Sequence, residues 1–196
     1  MIYVVEGLDR CGKSTFIDFL RSQIKNPKIM VIHSGKPPKN VDVEKWTRSY
    51  YGNLMNEIND LSYKEFDIIL DRSWIGELVY GPIYRNVHIK IHELECYIDT
   101  KQCILLTFVD SAENALSRDD GLSMSTDYQN KLYEIESFKA AHDSSYIQSK
   151  YMIDWSIIDF SENLLKNFAA ELANTGQIDA KYFRHSETNT NEIQKQ

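Results

Sequence analysis

Gly7, Gly12, Lys13 and Ser14 stand in the stretch 6–15, EGLDRCGKST, and these residue types at this spacing are suited to holding phosphate. The glycines let backbone N–H groups curl around an anion, and a helix opening near Lys13 turns its positive dipole end toward it. Lys13 can span the β- and γ-phosphates, the Ser14 hydroxyl can ligate Mg²⁺, and Thr15 follows in the same turn. The chemistry implied is binding of ATP or a similar triphosphate. Phosphate binding alone does not explain Asp9 and Arg10, a carboxylate and a guanidinium in the middle of the loop.

A second group of candidates ends the apolar run FDIILDR at residues 66–72. In an open parallel sheet, ligands sit outside the carboxyl ends of the strands, so Asp71 and Arg72 face the same crevice as the phosphate loop. Asp71 can hold the Mg²⁺ shell directly or through water, and Arg72 presents a planar fork that fits a phosphate. The histidines suggest no metal cluster. His33 ends a strand, and His88 and His92, expected four apart on one helix, have no third ligand.

These side chains need a scaffold, and the pattern of the chain predicts one. Apolar and β-branched runs at about 2–6, 28–33, 66–71, 103–109 and 152–158 alternate with amphipathic stretches, as in a parallel sheet covered by helices. Helices are expected over 15–25 and, behind a Ser161 cap, over 162–173. Residues 118–126 interrupt two helical segments with charged and small residues and read as a lid loop, and the polar tail from about 176 reads as frayed or disordered. The 196 residues, 42% hydrophobic, suit one domain over about 1–175, and a net charge of −7 argues against a nucleic-acid partner. Three cysteines without Cys-x-x-Cys spacing fit a reducing cytoplasm. No basic leader precedes Ile2 and no apolar run approaches twenty residues, so neither a signal peptide nor a membrane span is expected.

Over most of residues 1–175 the sequence resembles the thymidylate kinases, within the P-loop nucleoside monophosphate kinases. The resemblance is carried by EGLDRCGKST at 6–15, DRSWIGELVYG at 71–81, and LLTFVDSAENALSR at 105–118. It implies a five-stranded parallel sheet with helices on both faces and a lid, and transfer from ATP to a deoxynucleoside monophosphate. It also gives the loop's Asp-Arg pair a reason: some members of the family carry such a pair, where others use lid arginines. By that resemblance Arg10 is the catalytic arginine, Asp9 accepts a hydrogen bond from the acceptor's 3′-hydroxyl, and Arg118 packs on the adenine. Arg118 also reads as a helix C-terminal charge complementing the macrodipole.

Three departures bear on the acceptor. Ser73 follows Asp71-Arg72 where the family has an aromatic, and Trp74 comes one place later. Lys36, near Pro37, stands where an arginine commonly grips the acceptor phosphate. Gly76 and Gly81 occupy places where polar side chains often touch the base, while Tyr80 keeps the aromatic. Missing side chains there predict room for a base bulkier than thymine, with Tyr80 and Trp74 as stacking candidates. A deoxynucleoside kinase, in which Asp71 would be a general base, and a non-catalytic nucleotide-binding module are the alternatives. The family tends to form dimers, and the 89–98 stretch could serve either core or interface.

Overall fold

A computed structural model describes residues 1–119, 121, 123–158 and 161–179. Five strands, β1 (Ile2–Gly7), β2 (Ile29–His33), β3 (Asp67–Asp71), β4 (Cys103–Val109) and β5 (Ser149–Asp154), form one sheet in the order β2-β3-β1-β4-β5. Every neighbouring pair is parallel. The connecting helices are α1 (Lys13–Gln23), α2 (Val43–Tyr63), α3 (Trp74–Arg85), α4 (Ile91–Glu95), α5 (Ala112–Ser117), α6 (Tyr128–Ser144) and α7 (Glu162–Thr175). The inner strands β1 and β4 are buried at every position, which is why they read as unbroken apolar runs rather than alternating ones. α1 packs on α7 and α3 on α6, so both faces of the sheet are covered. β2 lies at the edge and leaves Met30 and Val31 exposed.

The topology brings the candidate loops together. β1 sends its chain out to edge strand β2, β3 returns between them, and β4 joins on the other side of β1. Val5 is in register with Asp71 and Gly7 with Phe108, so the turns after β1, β3 and β4 open at one end of the sheet.

Several boundaries differ from the sequence reading. α1 begins at Lys13 rather than Thr15, because Gly12 adopts a left-handed conformation (φ 82°) and serves as the N-cap. It ends before Lys25, where the approach to Pro27 disfavours helix. β5 begins earlier, at Ser149, and stops at Asp154, whose carboxylate accepts from Ser156 N and turns the chain out of the sheet. Ser161 caps α7 as expected, accepting from Leu164 N at 3.1 Å.

His88 and His92 do not share a helix. Asn86 ends α3 in a left-handed conformation, residues 86–90 carry no helix, and His92 lies in the short α4. Within 89–98, Leu94 and Ile98 belong to the core. Gly176 closes α7 and Ile178 is buried in the core, while residues 180–196 of the expected tail lie outside the described residues.

Candidate active site

The phosphate loop is built from the buried end of β1. At Gly7 (φ 128°) a Cβ would fall 1.9 Å from the Phe108 carbonyl oxygen, so only glycine fits between β1 and β4 there. Leu8 N donates to Phe108 O at 2.9 Å, and Trp155 Nε1 donates to Cys11 O at 2.9 Å, which pins both ends of the loop. Gly12 offers no side-chain cap, so the first N–H groups of α1 are left for an anion.

The Lys13 ammonium is buried under the loop, donating to Gly7 O at 2.8 Å and to Leu8 O. Burial pulls its pKa down, against the pull of Asp9, Cys11 and Glu6. Burial likewise pushes the Cys11 thiol up to about 11, so it is not a thiolate at neutral pH.

Glu6 is the residue that ties this loop to the next. Its carboxylate is 1% exposed and accepts from Ser73 N, from Gly76 N at 3.1 Å and from Gly7 N at 3.3 Å. Burial pushes its pKa up, opposed by Lys13 and by these three amides. One carboxylate thus fixes the phosphate loop against the start of α3.

A cavity of about 580 Å³ opens over these elements. Asp9, Arg10, Gly12, Lys13, Ser14 and Thr15 line it from the loop and α1, Asp71 and Arg72 from the end of β3, and Arg118 and Ser123 from the segment between α5 and α6. His33, at the end of β2, completes it and places Nδ1 2.8 Å from Asp71 Oδ2. Arg72 Nη2 donates to Asp9 Oδ1 at 3.1 Å across the crevice. Arg118 is held by the buried Asp110 and donates from Nε to Asn114 O at 3.1 Å. Asp110 is itself fixed by Ser111 N at 2.7 Å and Asn114 Nδ2 at 2.9 Å. Arg118 is therefore a fixed cavity-lining cation rather than only a helix-end charge. Four cations facing one cavity can bind and neutralise a polyphosphate, even on a protein of net charge −7.

A narrower cavity of about 60 Å³ shares Asp9 and Arg72 with the first and is lined further by Gly7, Lys36, Tyr51, Gly76, Glu77, Tyr80, Arg85 and Met124. Lys36 and Tyr80 thus lie where the sequence suggested an acceptor. Trp74 does not. It is fully buried, and its Nε1 donates at 3.1 Å to Glu95, which also accepts from Ser145 Oγ and Tyr146 N, so it is a core residue and not a stacking platform.

The two glycines are explained differently from expectation. A Cβ on Gly81 would meet the Val87 carbonyl oxygen at 3.0 Å, away from the cavity, and one on Gly76 would meet Glu6 Oε1 at 3.1 Å. Close contacts, not room for a base, require both.

The sequence reading passed over Glu6, His33, Glu77, Arg85 and Tyr51. An acid closing the apolar run IYVVE was the one available signal for Glu6. The others are brought to the site by strand register and helix phase alone.

Fold and site together define a P-loop phosphotransferase-type architecture, and within it the chain is thymidylate kinase-like. Over 86 residues, 43% of its length, it is 34% identical to a protein of Acidianus bottle-shaped virus (isolate Italy/Pozzuoli) provisionally named a thymidylate kinase. That match takes in 50% of the viral protein, so the chain spans about half the length of the curated relative it matches. The thymidylate kinase of Candida albicans superimposes with a TM-score of 0.65 at 17% identity, over 89% of this chain and 91% of that one. A deoxyadenosine kinase from M. mycoides superimposes with a TM-score of 0.54 at 13% identity, over 89% and 99%. At these identities the structural likeness establishes the fold. No protein-family model matches the chain.

Proposed function

We propose that the chain is a nucleoside monophosphate kinase that transfers the γ-phosphoryl group of ATP, with Mg²⁺, to a deoxynucleoside monophosphate, dTMP or an analogue with a modified or bulkier base. The observation that carries this reading is the convergence of Arg10, Lys13, Arg72 and Arg118 with Ser14 and Asp71 on one cavity, beside a narrower one that shares Asp9 and Arg72. Transfer between two anions needs little covalent chemistry from the protein and much fixed positive charge, and this cavity supplies it.

In this reading the loop amides and Lys13 hold the ATP phosphates, Thr15 adds to the same turn, and Arg118 lies against the adenine. Arg10 stabilises the charge that develops on the moving phosphoryl group. Arg72 and Lys36 hold the acceptor phosphate, Asp9 takes the 3′-hydroxyl, and Tyr80 borders the base.

Among the described residues no group of three or more His, Cys, Asp or Glu could hold a metal ion. Ser14 and Asp71 share the cavity, and such a sparse set fits Mg²⁺, which keeps water and phosphate oxygens in its shell. When bound, Mg²⁺ neutralises charge on the phosphates and orients them. Among the described residues no helix is long and apolar enough to cross a membrane. Three free cysteines support a reducing, cytoplasmic setting, and a homodimer built through helices is part of the same reading.

Asp71→Asn tests the reading against its alternative. A monophosphate acceptor is already an anion and needs no base, so the variant should shift the Mg²⁺ dependence of turnover to higher concentration. Loss of the basic limb of the pH–rate curve with nucleoside acceptors, at an unchanged Mg²⁺ dependence, would make the protein a deoxynucleoside kinase. ATP binding with no acceptor phosphorylated would leave a nucleotide-binding module.

A further inference from the structure

The narrower cavity contains charged groups that phosphoryl transfer does not use. Glu77 and Arg85 lie on α3 with Oε2 and Nη2 3.1 Å apart, and Glu77 is 8% exposed. The pair is not saturated. Glu77 Oε2 has no aligned hydrogen bond, and Arg85 Nε and the Tyr80 hydroxyl are buried without a hydrogen-bond partner. All three residues line the cavity. Buried polar atoms are nearly always hydrogen-bonded, and a cluster of exceptions around one cavity marks a place where a ligand completes the set.

The cavity meets the larger one at Asp9 and Arg72, so an acceptor whose phosphate lies among the cations can direct its base at Glu77 and Arg85. This step rests on the acceptor being a nucleotide, as read above.

We propose that Glu77 and Arg85 read the acceptor base and select a base bearing an exocyclic amino group over thymine. A carboxylate only accepts hydrogen bonds. The pairing edge of thymine presents O4, N3–H and O2, one donor between two acceptors. A carboxylate that takes N3–H brings its second oxygen against a carbonyl, with water excluded. Cytosine and adenine present an amino donor beside a ring-nitrogen acceptor, and guanine presents two adjacent donors beside O6. Each of these gives N–H to Glu77 and an acceptor to the Arg85 guanidinium. A buried site built for such an edge rejects the mismatched one steeply, because its polar groups are then left unpaired.

The test measures kcat/KM for dTMP, dCMP, dAMP and dGMP with ATP and Mg²⁺, and in parallel the equilibrium binding of each monophosphate by calorimetry. The best amino-bearing acceptor should exceed dTMP about tenfold or more in both. Glu77→Gln, whose amide offers a donor as well as an acceptor, should move that ratio about tenfold toward dTMP. Arg85→Lys, which keeps the charge without the fork, should weaken the amino-bearing acceptors and leave ATP affinity unchanged.

Turnover with dTMP preferred, or a ratio unmoved in a Glu77→Gln protein that still binds ATP, overturns the inference and leaves the kinase reading standing. Selective binding in the expected order without phosphorylation supports the inference and removes the kinase reading. Failure of all four monophosphates to bind overturns both.

Discussion

The candidate site keeps two non-glycine residues in left-handed conformations, Arg10 at φ 67° and Arg72 at φ 68°. Such backbones cost on the order of 1–3 kcal/mol each and persist where the surroundings impose them. Both side chains line the large cavity, so the strain aims cations at it. Arg10→Gly should therefore raise the melting temperature while lowering turnover. Arg10→Ala should lower kcat by on the order of a hundredfold with a smaller loss of ATP affinity, read from steady-state kinetics beside equilibrium binding. Equal losses in both would remove Arg10 from the transition state.

Glu6 gives a second expectation. Glu6→Gln replaces one acceptor oxygen with a donor that faces backbone N–H groups, so it should cost about 1–3 kcal/mol in urea unfolding and depress turnover. Residues with a fixed spacing, such as Gly12, Lys13 and Ser14, were legible in the sequence because their chemistry is local. Glu6, His33 and Glu77 were not, since their partners lie 67, 38 and 8 positions away and only folding brings them together.

The elements were legible to the degree that both faces of each are buried. β4 was read at its observed limits because seven consecutive buried positions leave no ambiguity. The edge strand β5 was read too late along the chain, because its half-exposed Ser149, Lys150 and Tyr151 look like loop, and the apolar residues after Asp154 look like strand. Helix α3 was recognised as the motif that follows β3, but the rotation that buries Trp74 and turns Glu77 into the cavity depends on packing against β1 and α6.

The contact between α3 and Glu6 is testable at this scale. Gly76→Ala places a methyl 3.1 Å from Glu6 Oε1 and should lower both the melting temperature and turnover, whereas Gly35→Ala, with nothing within 4 Å, should leave the melting temperature unchanged. Equal melting temperatures for the two variants would show that the Glu6 clasp does not fix α3.

Across the whole molecule, the histidine buried between β4 and α6 sets a pH dependence of stability. His142 Nδ1 lies 2.8 Å from Thr107 Oγ1, and burial followed by the nearby Lys150 pulls its pKa from 6.5 down to about 4. The unfolded chain binds a proton in that window that the folded protein does not, so stability rises with pH there. This contribution is fully present above pH 6.5 and is lost progressively as the pH falls toward about 4. His142→Gln, which keeps a partner for Thr107, should show a smaller loss of urea stability between those limits than the wild type. An identical loss would mean that His142 does not carry the effect.

The same architecture that buries His142 opens a cation-lined crevice at one end of the sheet, and the central claim is that a phosphoryl group crosses it from one nucleotide to another. Incubating the protein with Mg²⁺, ATP labelled in the γ-phosphate and a deoxynucleoside monophosphate, and locating the label in the products, tests that claim most directly. The account predicts label in the β-phosphate of a deoxynucleoside diphosphate, with one ADP formed for each. Label appearing only as inorganic phosphate, or only on the 5′-oxygen of an added nucleoside, would contradict it.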